Sequence, residues 1–260
     1  MEIKFINCEY KEKIVSLTFE PSKIYGITGK NIEELIPIIS LREICKGQII
    51  VDENKITKDN IKEHQRKVSF VTAIKSAQIN IYNIMVEYIK RNNLIIKDPI
   101  KKIKDSLKIV GLEDNILNKN IYETSTSEKK LLSFAIYLLS NPEVLIIEEP
   151  FKCLDKQNEK KIIMLLQRLK EQFKKTIIII SEDSNILYKY TNEMIFVKNN
   201  EILITGKTEE LYLKVEYLKK NRFDIPEIVE FTHLAKKKKE VKIDYHKDVR
   251  DIIKDIYKHI

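Results

Sequence analysis

The residues best suited to chemistry stand in YGITGKNIEELIPIIS, residues 25–40. An apolar strand carrying two glycines three residues apart, Gly26 and Gly29, and then Lys30 and Asn31 begins a cradle of backbone N–H groups and an ammonium around phosphate oxygens. Such a loop must run on through glycine to a lysine and a hydroxyl residue that holds magnesium. Here the chain continues instead as Ile32, Glu33, Glu34 and Leu35, which puts negative charge where a polyphosphate would dock. Asn31 followed three residues later by Glu34 has capping-box spacing, so the helix N-terminus is expected to be satisfied by the chain itself rather than by an anion. Pro37 predicts a kinked helix or a delayed helix start.

The elements that must hold this loop are legible from apolar periodicity. Alternating or continuous apolar runs predict strands near 2–7, 13–19, 23–28, 48–52 and 68–72, and helical spacing follows near 80–91 and 100–110. LLSFAIYLLS (131–140) reads as a buried helix that feeds VLIIEE (144–149), an apolar run of the kind found inside a parallel sheet. A helix over 156–174 and the run TIIIIS (176–181) repeat that order, which describes a parallel crossover. MIFVKNNEILITG is a hairpin turning at 198–200. Helices alone follow Gly206, near 208–220, 226–239 and 246–259. Pro226 sits at a first helical turn, and Val249, Ile252, Ile253 and Ile256 share one face of the last helix. A boundary near 207 is therefore expected.

The chain, 260 residues long, has room for one large α/β domain and an appendage. Its formal charge of +8 is dispersed, and residues 201–260 carry 14 Lys/Arg against 12 Asp/Glu, which is no polybasic tail. Lys236–Lys239 reads as a solvated helix face ahead of a nucleic-acid or anionic-lipid patch. Cys8, Cys45 and Cys153 are far apart and lack CxxC spacing. Neither a disulfide framework nor a metal site is expected, and a reducing cytosol fits. No apolar run approaches the roughly 20 residues that cross a bilayer, so a soluble or peripheral protein is expected.

YETSTSEKKLLSFAIYLLSNPEVLIIEEPFKCLD, with NPEVLIIEEP its most specific piece, resembles the ATP-binding cassette (ABC) ATPases in unbroken register. The resemblance implies a P-loop NTPase-like α/β fold, a mixed sheet with helices and a helical signature subdomain at about 75–140. It sets TSTSE (124–128), with Ser125, at the signature loop. Glu148 falls at the magnesium-linked carboxylate, Glu149 at the general base, Asp155 at the D-loop aspartate and Glu182 at the switch histidine. Tyr10 matches the adenine-stacking aromatic and Ala73 the Q-loop glutamine. Residues 208–260, with the step Phe223–Pro226, resemble the helical extension of energy-coupling factor (ECF) importer ATPases. The implied division is 1–207 cassette and 208–260 extension.

Gly29, Lys30, Asn31 and Glu148 are thus what remains of a nucleotide site. Loss of three or more charge-assisted hydrogen bonds removes at least ~4.5 kcal/mol, which moves a micromolar affinity to millimolar or weaker. ATP with magnesium is expected to bind weakly, and no other cofactor or metal is expected. Glu149 reads as a retained strand-end carboxylate ahead of a working base, and Asp155 as a turn residue or dimer contact. The leading reading is a degenerate, non-hydrolysing ATPase-like subunit. It pairs with an active ABC ATPase and a membrane transport component, on the cytoplasmic face of the membrane. Two alternatives stay open: a soluble regulatory or nucleic-acid-binding module derived from an ABC ATPase, and an active ATPase with a remodelled site.

Overall fold

The computed structural model describes residues 1–10, 13–72, 74, 78–199, 201–239 and 243–258; the side chains of Tyr10, Lys13, Lys238 and Lys239 lie outside that description. Strands β1 (Ile3–Tyr10), β2 (Lys13–Phe19), β4 (Lys46–Val51) and β5 (Asn54–Lys55) form an antiparallel sheet of order β2-β1-β4-β5. A second sheet contains β3 (Ile24–Gly29), β6 (Val68–Val71), β7 (Val144–Glu148), β8 (Thr176–Ile180), β9 (Glu193–Lys198) and β10 (Glu201–Lys207). Its order is β10-β9-β3-β8-β7-β6, and every neighbouring pair except β9–β10 is parallel. The carboxyl ends of β3, β6, β7, β8 and β9 therefore meet along one edge, where ligands of open α/β sheets bind.

Parallel strands are covered on both faces, and the run of four isoleucines in β8 shows why that demands continuous apolar sequence. Ile177 and Ile179 point into one core with the helices, while Ile178 and Ile180 point into the other, against the antiparallel sheet. Full burial of each contributes about 1.5–3 kcal/mol. The first core also receives α3 (Ile81–Arg91), α4 (Pro99–Val110), α5 (Thr126–Leu138) and α6 (Lys156–Glu171). Helix α4 shows how locally these ends are written. Asp98 Oδ1 accepts the Lys101 N–H at 2.9 Å, Pro99 opens the helix, and Gly111 closes it in the left-handed region at φ 77.

Short helices α1 (Ile36–Ile39) and α2 (Ile61–Gln65) lie between β3 and β6, and α7 (Ser184–Tyr190) joins β8 to β9. Beyond β10 come α8 (Thr208–Tyr212), α9 (Val215–Lys220), α10 (Glu227–Lys239) and α11 (Val249–Lys258). The single helix expected over 208–220 is two, broken at Leu213 and Lys214. The break lets Leu211 and Tyr212 on one side and Val215 and Leu218 on the other all reach the core. Phe223 packs edge-on against Phe196 of β9, with ring centroids 4.9 Å apart, and the Asn185 side chain on α7 accepts the Glu227 N–H at 2.8 Å.

The cysteine expectation is corrected: Cys8 and Cys45 are joined in a disulfide. The antiparallel pairing of β1 with β4 sets Glu9 opposite Lys46, and this brings the two cysteines, 37 residues apart in sequence, to a Cα separation of 5.2 Å. Spacing along the chain carries no trace of that neighbour relation. Cys153 is free and exposed.

Candidate functional site

The loop after β3 is built from strand packing downward. Gly29 pairs with Val197 of β9, has φ +140, and a Cβ placed on it would lie 1.9 Å from the Val197 carbonyl oxygen. Glycine is thus required here by the close approach of two backbones, whatever the loop binds. Lys30 is exposed. Asn31 lies in the left-handed region (φ 59, ψ 31) and its side chain makes no capping bond. The expected Asn31–Glu34 capping box is therefore not formed, because an N-cap needs extended backbone angles to aim its side chain at the first-turn N–H groups. A 3-10 turn over Ile32–Glu34 takes its place, with the Leu35 N–H bonded to the Ile32 carbonyl at 2.8 Å. Ile32 and Leu35 are buried and draw this turn onto the core. The helix after it, α1, starts only at Ile36 and lasts four residues, with Pro37 in its first turn as the sequence predicts.

Two strands away, β7 delivers the carboxylates. Ile180 of β8 is registered with both Ile27 of β3 and Glu148 of β7, so the two strand ends flank that of β8. Glu148 ends β7 with an exposed side chain. Glu149 is half-buried in left-handed backbone (φ 42). Its Oε2 accepts from the Ser181 hydroxyl at 3.0 Å and its Oε1 from the Glu182 N–H at 2.9 Å. The Glu149 N–H donates to the Ile180 carbonyl at 2.9 Å, and Lys130 Nζ on α5 donates to the Glu149 and Pro150 carbonyls at 2.9 and 3.1 Å. Burial lowers the pKa of the Lys130 ammonium.

Two further predicted residues are helix caps. Ser125 caps α5: its hydroxyl accepts the Glu128 N–H at 3.2 Å and its own N–H donates to Glu128 Oε2 at 2.8 Å. The bond from the Ser125 N–H holds the Glu128 carboxyl below its ordinary range. Asp155 caps α6, accepting the Asn158 N–H and side-chain amide at 2.8 Å each, and the Asn158 N–H lowers its pKa. The backbone of Tyr10 pairs with Lys13 at the end of β1. Its side chain and all of Ala73 lie outside the described residues.

The structure thus gathers Gly29, Lys30, Asn31, Glu148, Glu149 and Glu182 along one sheet edge, with Ser125 linked to it through Lys130 of the same helix. Reading the sequence missed Lys130 and Ser181. Ser181 carries a usable signal, since it stands directly after the last buried isoleucine of a strand; Lys130, one of two adjacent lysines, carries none. Among the described residues, no cluster of three or more His, Cys, Asp or Glu is placed to hold a metal ion, and no helix is long and apolar enough to cross a membrane.

Residues 13–152 match the family described as ABC transporter. The chain is 26% identical over 245 residues to the energy-coupling factor transporter ATP-binding protein EcfA2 of Clostridium acetobutylicum, covering 90% of this chain and 85% of that protein. EcfA2 of Clostridium perfringens is 28% identical over 230 residues, covering 86% and 79%. Among solved structures, cbiO1 from Clostridium perfringens, described as part of the ABC transporter complex cbiONQ, is similar in fold: TM-score 0.69, 20% identity, 89% of this chain and 98% of that one. A nucleotide-free ATP-binding cassette from an ABC transporter gives a TM-score of 0.71 at 18% identity, covering 85% and 98%. With the family match spanning more than half of its length, and a fold similar to that of such cassettes, this chain belongs to the ABC transporter family.

Proposed function

We propose that this chain is a degenerate cassette subunit of an energy-coupling-factor-type importer, with residues 1–207 as the cassette and 208–260 as its helical extension. It pairs with a catalytically intact ATPase and docks on a membrane component from the cytoplasmic side. The observation that carries the reading is the closed loop after β3, where a 3-10 turn and a four-residue helix replace a phosphate cradle. Magnesium nucleotide does not fit the residues present. Gly29 is committed to Val197, no lysine and hydroxyl pair follows, and Glu33 is exposed where phosphate charge would gather. Glu149 has both carboxylate oxygens engaged by Ser181 and Glu182, which suits a strand-end brace better than a base waiting for water. The ECF assignment rests on the similarity to EcfA2 proteins over most of both chains.

The test is affinity purification from native cells in mild detergent, with mass spectrometry of what stays bound. A second ATPase and a polytopic membrane protein are expected. Recovery of soluble proteins or nucleic acid alone overturns the assembly. ATP turnover by the pure protein that disappears in Glu149→Gln overturns the degenerate assignment.

A further inference from the structure

A cavity lies where the extension meets the sheet edge, on the β9 side of β3 and away from the turn that replaces the phosphate cradle. It measures about 360 Å³, within the range of sites for small molecules. Its cations come from three separate parts of the chain: Lys30 after β3, Lys198 at the end of β9, and Arg222 in the turn between α9 and α10. Lys198 Nζ is steadied by Asn221 Oδ1 at 2.8 Å, and Arg222 sits in left-handed backbone at φ 65. The carboxylates of Glu182 and Asp224 also line the cavity and leave the cations in excess by one.

The wall is set by tertiary packing. Tyr212 of α8 is wholly buried, and its ring packs edge-on against Phe196 at 5.5 Å and Tyr188 at 5.3 Å between centroids. Its hydroxyl has no hydrogen-bond partner in the protein, yet the residue lines this cavity. A buried hydroxyl without a partner is unfavourable, so an occupant that brings an acceptor to it gains. The phenol stays protonated, because burial pushes its pKa far upward, so it acts as a donor throughout the neutral range. Phe223, half-buried, supplies an apolar flank beside these polar groups.

We propose that this cavity binds a phosphorylated small molecule, its phosphate held by Arg222, Lys198 and Lys30 and an oxygen accepting from the Tyr212 hydroxyl. A guanidinium with two ammonium groups suits a compact dianion, which needs more than one cation and accepts several bonds at once. Glu182 and Asp224 disfavour a larger polyanion and leave room for hydroxyl groups on the organic part. The inference goes beyond the importer reading: of the residues left from the nucleotide site, Gly29 and Lys30 line this cavity, and Lys30 alone of them is assigned a bond to the phosphate.

The experiment is calorimetric titration of the full chain with inorganic phosphate, glycerol 3-phosphate, AMP and Mg-ATP, repeated on Tyr212→Phe, Arg222→Gln and Glu148→Gln. One-to-one binding of phosphate or a monophosphate is expected with Kd below about 1 mM. It should weaken about tenfold or more in Arg222→Gln and about threefold or more in Tyr212→Phe, the losses typical of one charged and one neutral hydrogen bond. Glu148→Gln should leave it unchanged. Tyr212→Phe removes one oxygen from a site where that oxygen has no protein partner, so its melting temperature should not fall and loss of binding is not loss of fold. Absence of saturable heat with phosphate and both monophosphates overturns the proposal. So does binding indifferent to Arg222→Gln, or binding of Mg-ATP alone that depends on Glu148.

Discussion

Replacing Glu149 separates a brace from a base. Its carboxylate receives two hydrogen bonds, from Ser181 Oγ at 3.0 Å and the Glu182 N–H at 2.9 Å. Bonds to a charged group contribute about 1.5–3 kcal/mol each, and half-burial places these at the lower end, so Glu149→Ala should cost about 3 kcal/mol. Alanine is the right probe, since it keeps the side-chain-bearing left-handed backbone (φ 42) and removes only the acceptors. In a chain of this size, about 2–4 °C is lost per kcal/mol, so the melting temperature should fall by about 6–12 °C. Glu149→Gln keeps one acceptor for the Glu182 N–H and lets the Ser181 hydroxyl rotate to accept from the amide. Two neutral bonds then replace two charged ones, at a cost of about 1–2 kcal/mol. Urea unfolding and thermal melts of the three proteins should rank wild type above Gln above Ala, while ATP turnover stays at background in all three. Equal stability within about 0.5 kcal/mol, the ordinary scatter of surface substitutions, would refute the bracing role.

Three further outcomes follow from the same geometry. Gly29→Ala forces a Cβ to within 1.9 Å of the Val197 carbonyl oxygen at φ +140 and should cost more than about 4 kcal/mol, read as insoluble expression or a collapsed melting temperature. Ser125→Ala removes the hydroxyl that accepts the Glu128 N–H and should cost about 1 kcal/mol in urea unfolding without altering ATP turnover. Burial pushes the phenols of Tyr25 and Tyr188 up to about 12, so the unfolded chain ionises first as pH rises through 10. Stability is full below pH 10 and falls between pH 10 and 12. The urea midpoint should drop across that window, and less steeply in Tyr25→Phe.

Much of the fold was legible because parallel strands buried on both faces must be written as unbroken apolar runs. VLIIE and TIIII could be little else, and the helix between them follows from apolar spacing. The interrupted cradle was equally plain, since a phosphate loop is a local motif and its missing residues leave a local gap. What sequence could not settle is how the gap closes. Capping-box spacing at Asn31 and Glu34 was outweighed by Ile32 and Leu35, whose burial in the core favours a 3-10 turn with Asn31 left-handed.

The pairs that matter are all distant in sequence. Glu149 with Ser181, Lys130 with the Glu149 carbonyl, Gly29 with Val197 and Cys8 with Cys45 exist only because strand order and register bring them together. The same holds for the junction cavity, whose cations lie at positions 30, 198 and 222. Sequence by itself determined most of the elements and the absence of a complete phosphate-loop motif, because each is encoded within a few residues. Only the tertiary structure decided which side chains share a site, because that depends on contacts between segments whose separation along the chain carries no spatial information.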